Sequence, residues 1–212
     1  MPLAAGTVRD VPVRALKMCG LTWSGQFLWF SEAVSNEIIA IDTCDGTVLH
    51  RVPCPEVRTD LTTLRGNLMQ IAGGDRALRV IDPNSAAVVA EVPNPRPGHV
   101  LCGLEATSHG IWLGYEDLGI IDLRSQEDFH LIDSIHVGGS VAGVTVSDSF
   151  LVYADYRAAT INLVDLDERR ELAAYSVAGN PTGLTWDGSK IWYCDHTTLQ
   201  LRAITVPGLD KS

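Results

Sequence analysis

The chain has 212 residues, 46% of them hydrophobic and 20% charged, too apolar and too weakly charged for a disordered polypeptide. Sixteen basic against 26 acidic residues give a formal net charge of −10, which excludes the basic footprint of a nucleic-acid binder and a polybasic membrane patch. No run approaches the roughly 18 consecutive apolar residues of a membrane span.

Taken in chain order, Thr7 to Val13 reads as an isolated strand, and five similar units follow it. The units open at Gly20-Leu21-Thr22-Trp23, Asp60-Leu61-Thr62-Thr63, Gly103-Leu104-Glu105-Ala106, Gly143-Val144-Thr145-Val146 and Gly183-Leu184-Thr185-Trp186, in steps of 40, 43, 40 and 40. A second landmark, Ile41-Asp42, Ile81-Asp82, Ile121-Asp122 and Val164-Asp165, steps by 40, 40 and 43. A period near 40 marks a repeat architecture. Within each unit the opening motif is a first strand. The second is expected over Phe27 to Ser31, Asn67 to Ala72, Gly110 to Tyr115, Phe150 to Asp155 and Lys190 to Asp195. The third runs over Glu37 to Asp42, Ala77 to Asp82, Leu118 to Asp122, Ala159 to Asp165 and Leu199 to Thr205. The fourth runs over Thr47 to Val52, Ala87 to Val92, His130 to Val137 and Glu171 to Val177. These segments are short, rich in β-branched and aromatic residues, and bounded by Gly, Asn, Asp and Pro.

The fifth unit lacks its fourth strand, and the strand at Thr7 to Val13 supplies it. Closing a ring in this way removes an open sheet edge, which a linear solenoid would leave to capping repeats. The expected fold is therefore all-β: a single five-bladed β-propeller over 1–212, of four-stranded antiparallel blades, closed by the N-terminal strand. Trp29, Trp112 and Trp192 share one position in the second strand and are read as packing between blades. Asp42, Asp82, Asp122 and Asp165 are read as fixing the turn after the third strand by accepting backbone hydrogen bonds.

Function is sought where the repeat breaks. In a propeller the first strands line a central channel whose mouth is the default ligand site. The third position of the opening motif is Thr22, Thr62, Glu105, Thr145 and Thr185, so Glu105 is an anomaly; the first is glycine except at Asp60. A carboxylate on an innermost strand is desolvated and suited to acid–base work. Cys19 and Cys102 hold equivalent places just before the motif. The end of the second strand reads Glu32, Ala72, Tyr115, Asp155 and Asp195, and the next position includes His196. Acids at this turn either cap backbone or, with Asp155 and Asp195 as ligands, hold a divalent cation such as calcium or magnesium. The candidate catalytic set is thus Glu105, Asp60 and Glu32, with Cys19, Cys102, Tyr115, Asp155 and His196 as ligand-binding candidates.

The segment Gly183-Leu184-Thr185-Trp186-Asp187-Gly188-Ser189-Lys190-Ile191-Trp192-Tyr193-Cys194-Asp195 resembles the blades of the glutamine cyclotransferase, YVTN and gluconolactonase-like propellers. The resemblance spans nearly the whole chain, and the blade count is similar to that of plant-type glutamine cyclotransferases, which form pyroglutamate from N-terminal glutamine. That family carries Gln-Gly-Leu where this chain has Cys19-Gly20-Leu21, and Glu-Ser-Thr-Gly where it has Phe30-Ser31-Glu32-Ala33, so Glu32 is displaced from the family's glutamate. The gluconolactonase relatives imply a divalent metal held by acidic channel residues. Two functions stay open: a small-molecule enzyme performing cyclisation, hydrolysis or elimination at the channel mouth, and a non-catalytic propeller that binds a protein partner. Five cysteines without metal-type spacing and the absence of a basic-then-apolar stretch over Met1 to Asp10 predict a reduced, cytoplasmic protein.

Overall fold

The structure is a computed structural model that describes residues 1–147, 149–207 and 209. Five antiparallel four-stranded blades form a ring, and no helix occurs among the described residues. Blade 1 contains β3 (Met18–Trp23), β4 (Leu28–Glu32), β5 (Glu37–Ile41) and β6 (Val48–Pro53). Blade 2 contains β7 (Val57–Leu64), β8 (Asn67–Ala72), β9 (Ala77–Ile81) and β10 (Val88–Val92). Blade 3 contains β11 (Leu101–Thr107), β12 (Gly110–Tyr115), β13 (Ile120–Arg124) and β14 (Leu131–His136), and blade 4 contains β15 (Val141–Val146), β16 (Phe150–Asp155), β17 (Thr160–Asp165) and β18 (Arg170–Ser176). Blade 5 contains β19 (Pro181–Trp186), β20 (Ile191–Asp195) and β21 (Gln200–Thr205), and its outer strand is β2 (Gly6–Pro12), paired antiparallel to β21. The ring therefore closes with the N-terminal strand. The short β1 (Leu3–Ala4), which the sequence pattern does not announce, pairs parallel with β18 and ties this closure to blade 4.

Each blade is apolar on both faces near the axis and exposed at its outer edge. The innermost and second strands are almost wholly buried, whereas β6, β10 and β14 are largely exposed. Apolar side chains meet between blades. Trp29 packs with Val57, Leu61 and Leu68 of blade 2, Trp112 with Val141, Val144 and Leu151 of blade 4, and Trp192 with Met18, Leu21 and Phe30 of blade 1. Burying each ring contributes a few kcal/mol, on the order of 25 cal/mol per Å².

Asp122 departs from the expected turn role. Asp42, Asp82 and Asp165 accept from Cys44, Asn84 and Asp167 backbone N–H groups, as the turn requires. Asp122 lies in the middle of β13, fully buried, and accepts from Arg96, Arg124 and the Ser134 hydroxyl. The reason is the three-residue insertion between blades 2 and 3: it displaces blade 3 against the Ile-Asp landmark, and Ser125 takes the turn instead.

Adjacent first strands touch around the whole ring, with β19 returning against β3. Their approach is so close that glycine is required. A Cβ on Gly143 would lie 2.1 Å from the Thr182 carbonyl oxygen, and one on Gly183 would lie 2.5 Å from the Leu21 nitrogen. Gly143→Ala is expected to destabilise by about 1–3 kcal/mol, the usual cost of overpacking, measured as a lower urea midpoint at unchanged m-value.

Candidate functional site

Every first strand carries a register shift at the same level: between Met18 and Leu21, Val57 and Leu61, Leu101 and Gly103, Val141 and Gly143, and Pro181 and Leu184. Bulges re-aim side chains. Here they bring Cys19, Thr59, Cys102, Ala142 and Thr182 to one end of the axis, where they floor a cavity of about 280 Å³. Its wall is made by Lys17, Arg58, Arg76, Glu116, Tyr156 and His196. All five blades contribute. This volume lies just below the range of about 300–1,000 Å³ for small-molecule sites.

The next level down is the ring of Gly20, Asp60, Gly103, Gly143 and Gly183. Asp60 is fully buried and closes the axis. Its Oδ1 accepts from Leu21 N (3.2 Å) and Leu61 N (3.0 Å), and its Oδ2 from Leu104 N (3.1 Å) and Val144 N (3.3 Å). Four blades are thus pinned to one carboxylate. Burial pushes this group well above the ordinary carboxylate range, and the N–H donors of Leu104, Leu21 and Leu61 pull against that. Because both oxygens accept, no acceptor is left for a proton, and the carboxylate is the form the ring is built around.

Below Asp60 lies the threonine ring. The hydroxyls of Thr62, Thr145 and Thr185 each accept an N–H from the next blade, from Ala106, Trp186 and Trp23. Glu105 interrupts this ring. Its Oε1 accepts from the Thr62 hydroxyl at 3.3 Å, and its Oε2 is buried without a partner. Burial pushes its carboxyl up to about 8. Glu105 therefore lies on the channel axis but beneath the Asp60 plug; it is not at the mouth, where the sequence reading sets it beside a ligand.

The remaining acids of the candidate set cap turns. Glu32 accepts from Lys17 N (2.7 Å), Leu16 N, Val34 N and Ser35 N; its burial opposes ionisation, but these donors prevail and hold it below the usual range. Asp155 accepts from Arg157, Ala158 and Ser140 N–H groups. Asp195 accepts from Thr197 and Thr198 N–H groups, the Thr198 hydroxyl and Arg202. Tyr115 is buried beneath Arg96 and donates to Asn94. Asp155 and Asp195 are thus committed to backbone on separate blades, and no group of three His, Cys, Asp or Glu able to hold a metal occurs among the described residues. The donor set does not fit a calcium or magnesium site, because the oxygens such an ion needs are already engaged.

Of the sequence candidates, the mouth brings together Cys19, Cys102 and His196. The two thiols stay protonated: burial pushes Cys19 up to about 11 and Cys102 up to about 12, so neither is a nucleophile at neutral pH. His196 sets Nδ1 3.4 Å from the Met18 carbonyl oxygen and its ring edge against Tyr156. Glu116, which the sequence sets at the rim beside Tyr115 but outside the candidate set, also lines the mouth. In blade 3 Tyr115 occupies the usual capping place, and Asp117 caps instead, accepting from Val100 N (2.8 Å) and His99 (2.8 Å). Glu116 is released to the mouth. Its Oε1 accepts from the Ser140 hydroxyl at 3.1 Å and faces Arg157 at 3.5 Å, and its Oε2 lies 3.8 Å from the Cys102 thiol. An open groove lined by Ser140, Asp155 and Arg157 adjoins it between blades 3 and 4.

No protein-family model matches the chain, and no curated protein matches its sequence. Solved structures do. Glutaminyl cyclase of Myxococcus xanthus superposes with a TM-score of 0.79 over 96% of this chain and 97% of that one, at 9% identity. A catalytically inactive virginiamycin B lyase from Staphylococcus aureus, solved with quinupristin, gives 0.56 over 89% and 66%, at 16% identity. The Pan2 WD40 domain of Neurospora crassa gives 0.51 over 90% and 63%, at 10% identity. At these identities the likeness establishes the propeller fold, which this chain shares with propeller enzymes as well as with a WD40 domain.

Proposed function

We propose that the chain is a small-molecule enzyme whose site is the channel mouth and whose acid–base group is Glu116. One observation carries the reading: Glu116 is the only carboxylate lining the mouth among the described residues, and it is released to it by the transfer of capping to Asp117. The Ser140 hydroxyl orients it, and the neutral Cys102 thiol beside it can donate a hydrogen bond to a bound molecule. A positioned carboxylate that moves one proton suits cyclisation, hydrolysis or elimination. The similar folds of a glutaminyl cyclase and a lyase support that set of reactions. Glu105, sealed beneath Asp60, has no part in it.

The test is turnover. Purified protein is incubated with N-terminal glutaminyl peptides, lactones and a mixture of small polar metabolites, and products are followed by mass spectrometry. Glu116→Gln is expected to lower turnover about 10²-fold or more, the usual worth of a general acid–base group, at unchanged Tm. Turnover that survives the substitution removes Glu116 from the chemistry. The second reading, a propeller that binds a protein, draws on a different feature. Val48-Leu49, Val88-Val89 and Leu131-Ile132 are exposed apolar pairs at equivalent places on three outer strands. A chain that turns over none of these classes leaves that reading in place.

A further inference from the structure

We infer that the mouth is a receptor for an anionic group, a carboxylate or a phosphate, held by Lys17, Arg58 and Arg76. The inference rests on the mouth being the ligand site and names the class of molecule that enters it.

Arg51, Arg79, Arg96, Arg124, Arg157, Arg169, Arg170 and Arg202 pair with carboxylates. Among the described residues Arg9, Arg14, Lys17, Arg58, Arg65, Arg76 and Lys190 have no carboxylate within 4.0 Å, and three of these, Lys17, Arg58 and Arg76, are gathered at the mouth. Their polar contacts are with neutral acceptors: Arg58 with the Gly73 carbonyl oxygen at 3.1 Å, Arg76 with the Leu101 carbonyl oxygen at 2.9 Å and the Cys102 sulfur at 3.6 Å. Like charges gathered at a concave, low-dielectric surface focus a field that draws the opposite charge.

Neither arginine is demanded by the backbone. Against a two-residue advance of the second strand, the first strand advances three residues in the other blades, Met18 to Leu21, Leu101 to Leu104, Val141 to Val144 and Pro181 to Leu184, and four in blade 2, Val57 to Leu61. Val57 fills the buried place of Met18, and the extra residue, Arg58, is turned out to the mouth. Arg76 has φ of 55°, at a turn position where the other blades have Asn36, Gly119, Ala159 and Leu199, all with positive φ. Such a position favours Asn or Gly, and arginine gains nothing there from the turn itself. Blade 2 thus departs from the repeat twice, each time delivering a guanidinium to the same cavity. Glu116 also meets the Cys102 sulfur, so a molecule seated over Cys102 has both a cation and the proposed acid–base group within reach. Guanidinium groups bind carboxylate and phosphate oxygens in pairs, which orients the ligand as well as attracting it.

Binding is read without turnover, by calorimetric titration at fixed ionic strength and by amide chemical shifts. The probes are inorganic phosphate, glutarate and the neutral glutaramide. Phosphate, glutarate or both are expected to bind and to shift the Cys19, Thr59, Cys102 and Thr182 amides, and glutaramide to do neither. Which anion binds more tightly assigns the group as phosphate or carboxylate. Arg58→Gln and Arg76→Asn are each expected to weaken binding at least tenfold; Arg76→Asn installs the residue of blade 1 and keeps the turn. Glu116→Gln is expected to leave anion binding intact or stronger while turnover falls. Absence of binding by both anions, equal binding of glutaramide, or anion binding unaltered in both arginine variants overturns the inference. Loss of anion binding with turnover still dependent on Glu116 would spare the enzyme reading, and anion binding without any turnover would spare the receptor.

Discussion

Replacing Asp60 by Asn is expected to destabilise the protein by about 3–5 kcal/mol and to lower Tm by roughly 10 °C. The side chains differ by little in size, so packing is kept and the effect comes from hydrogen bonding and charge. An Asn oxygen can serve Leu21 and Leu61 as Oδ1 does now, but its NH₂ group then points at the N–H groups of Leu104 and Val144. Two buried donors lose their acceptor and face a third donor, each at a cost of about 1–3 kcal/mol. Because the four N–H groups belong to four blades, the ring as a whole loosens. Asp60→Gly, which makes all five places glycine, is expected to be milder, since water can enter and accept some of the freed N–H groups. Thermal and urea melts of both variants check this. A Tm for Asp60→Asn within 2 °C of the parent would show that the carboxylate does not hold the blades together.

This pinning role explains why the fold is legible in the sequence and the site is not. A 40-residue period, a missing last strand and a spare first one determine a closed ring, because an unpaired edge is costly and the N-terminal strand removes it. The departures at Asp60 and Glu105 are equally visible. Their depth is not. Position within a repeat says that a residue is on an inner strand, but not which end of the channel opens, and Asp60 turns out to seal the mouth from Glu105. The turn acids mislead for another reason: Glu32, Asp155 and Asp195 are common because backbone N–H groups there need an acceptor, so their recurrence is a mark of structure. Glu116 is hidden by the same logic, since one place further along the turn it looks like part of the cap that Asp117 in fact provides. The extra residue at Arg58 is masked by the 40-residue spacing from Leu21 to Leu61, which stays constant although the register within the strand shifts.

Glu105 predicts an unusual dependence of stability on pH. The folded protein holds its proton up to about pH 8, whereas the unfolded chain releases it near the ordinary glutamate value of 4.5. Between these values folding takes up a proton, so this group favours the folded state most at low pH, and its contribution falls as pH rises through the window and levels off above about 8. The loss across the window is on the order of 5 kcal/mol. Glu105→Gln keeps the length of the side chain and an oxygen for the Thr62 hydroxyl, without a charge to bury. The variant is expected to match the parent near pH 4.5 and to exceed it by several kcal/mol at pH 9, and its stability should lack the fall that Glu105 causes. The surface carboxylates titrate alike in both proteins, so the difference between the two curves belongs to Glu105 together with Asp60, whose carboxyl the Glu105 charge pushes further up. Urea denaturation at intervals from pH 4.5 to 9 measures that difference. If the two curves run parallel, the Glu105 carboxyl is already solvated or paired in the folded ring, and its place in the threonine circle carries no electrostatic penalty.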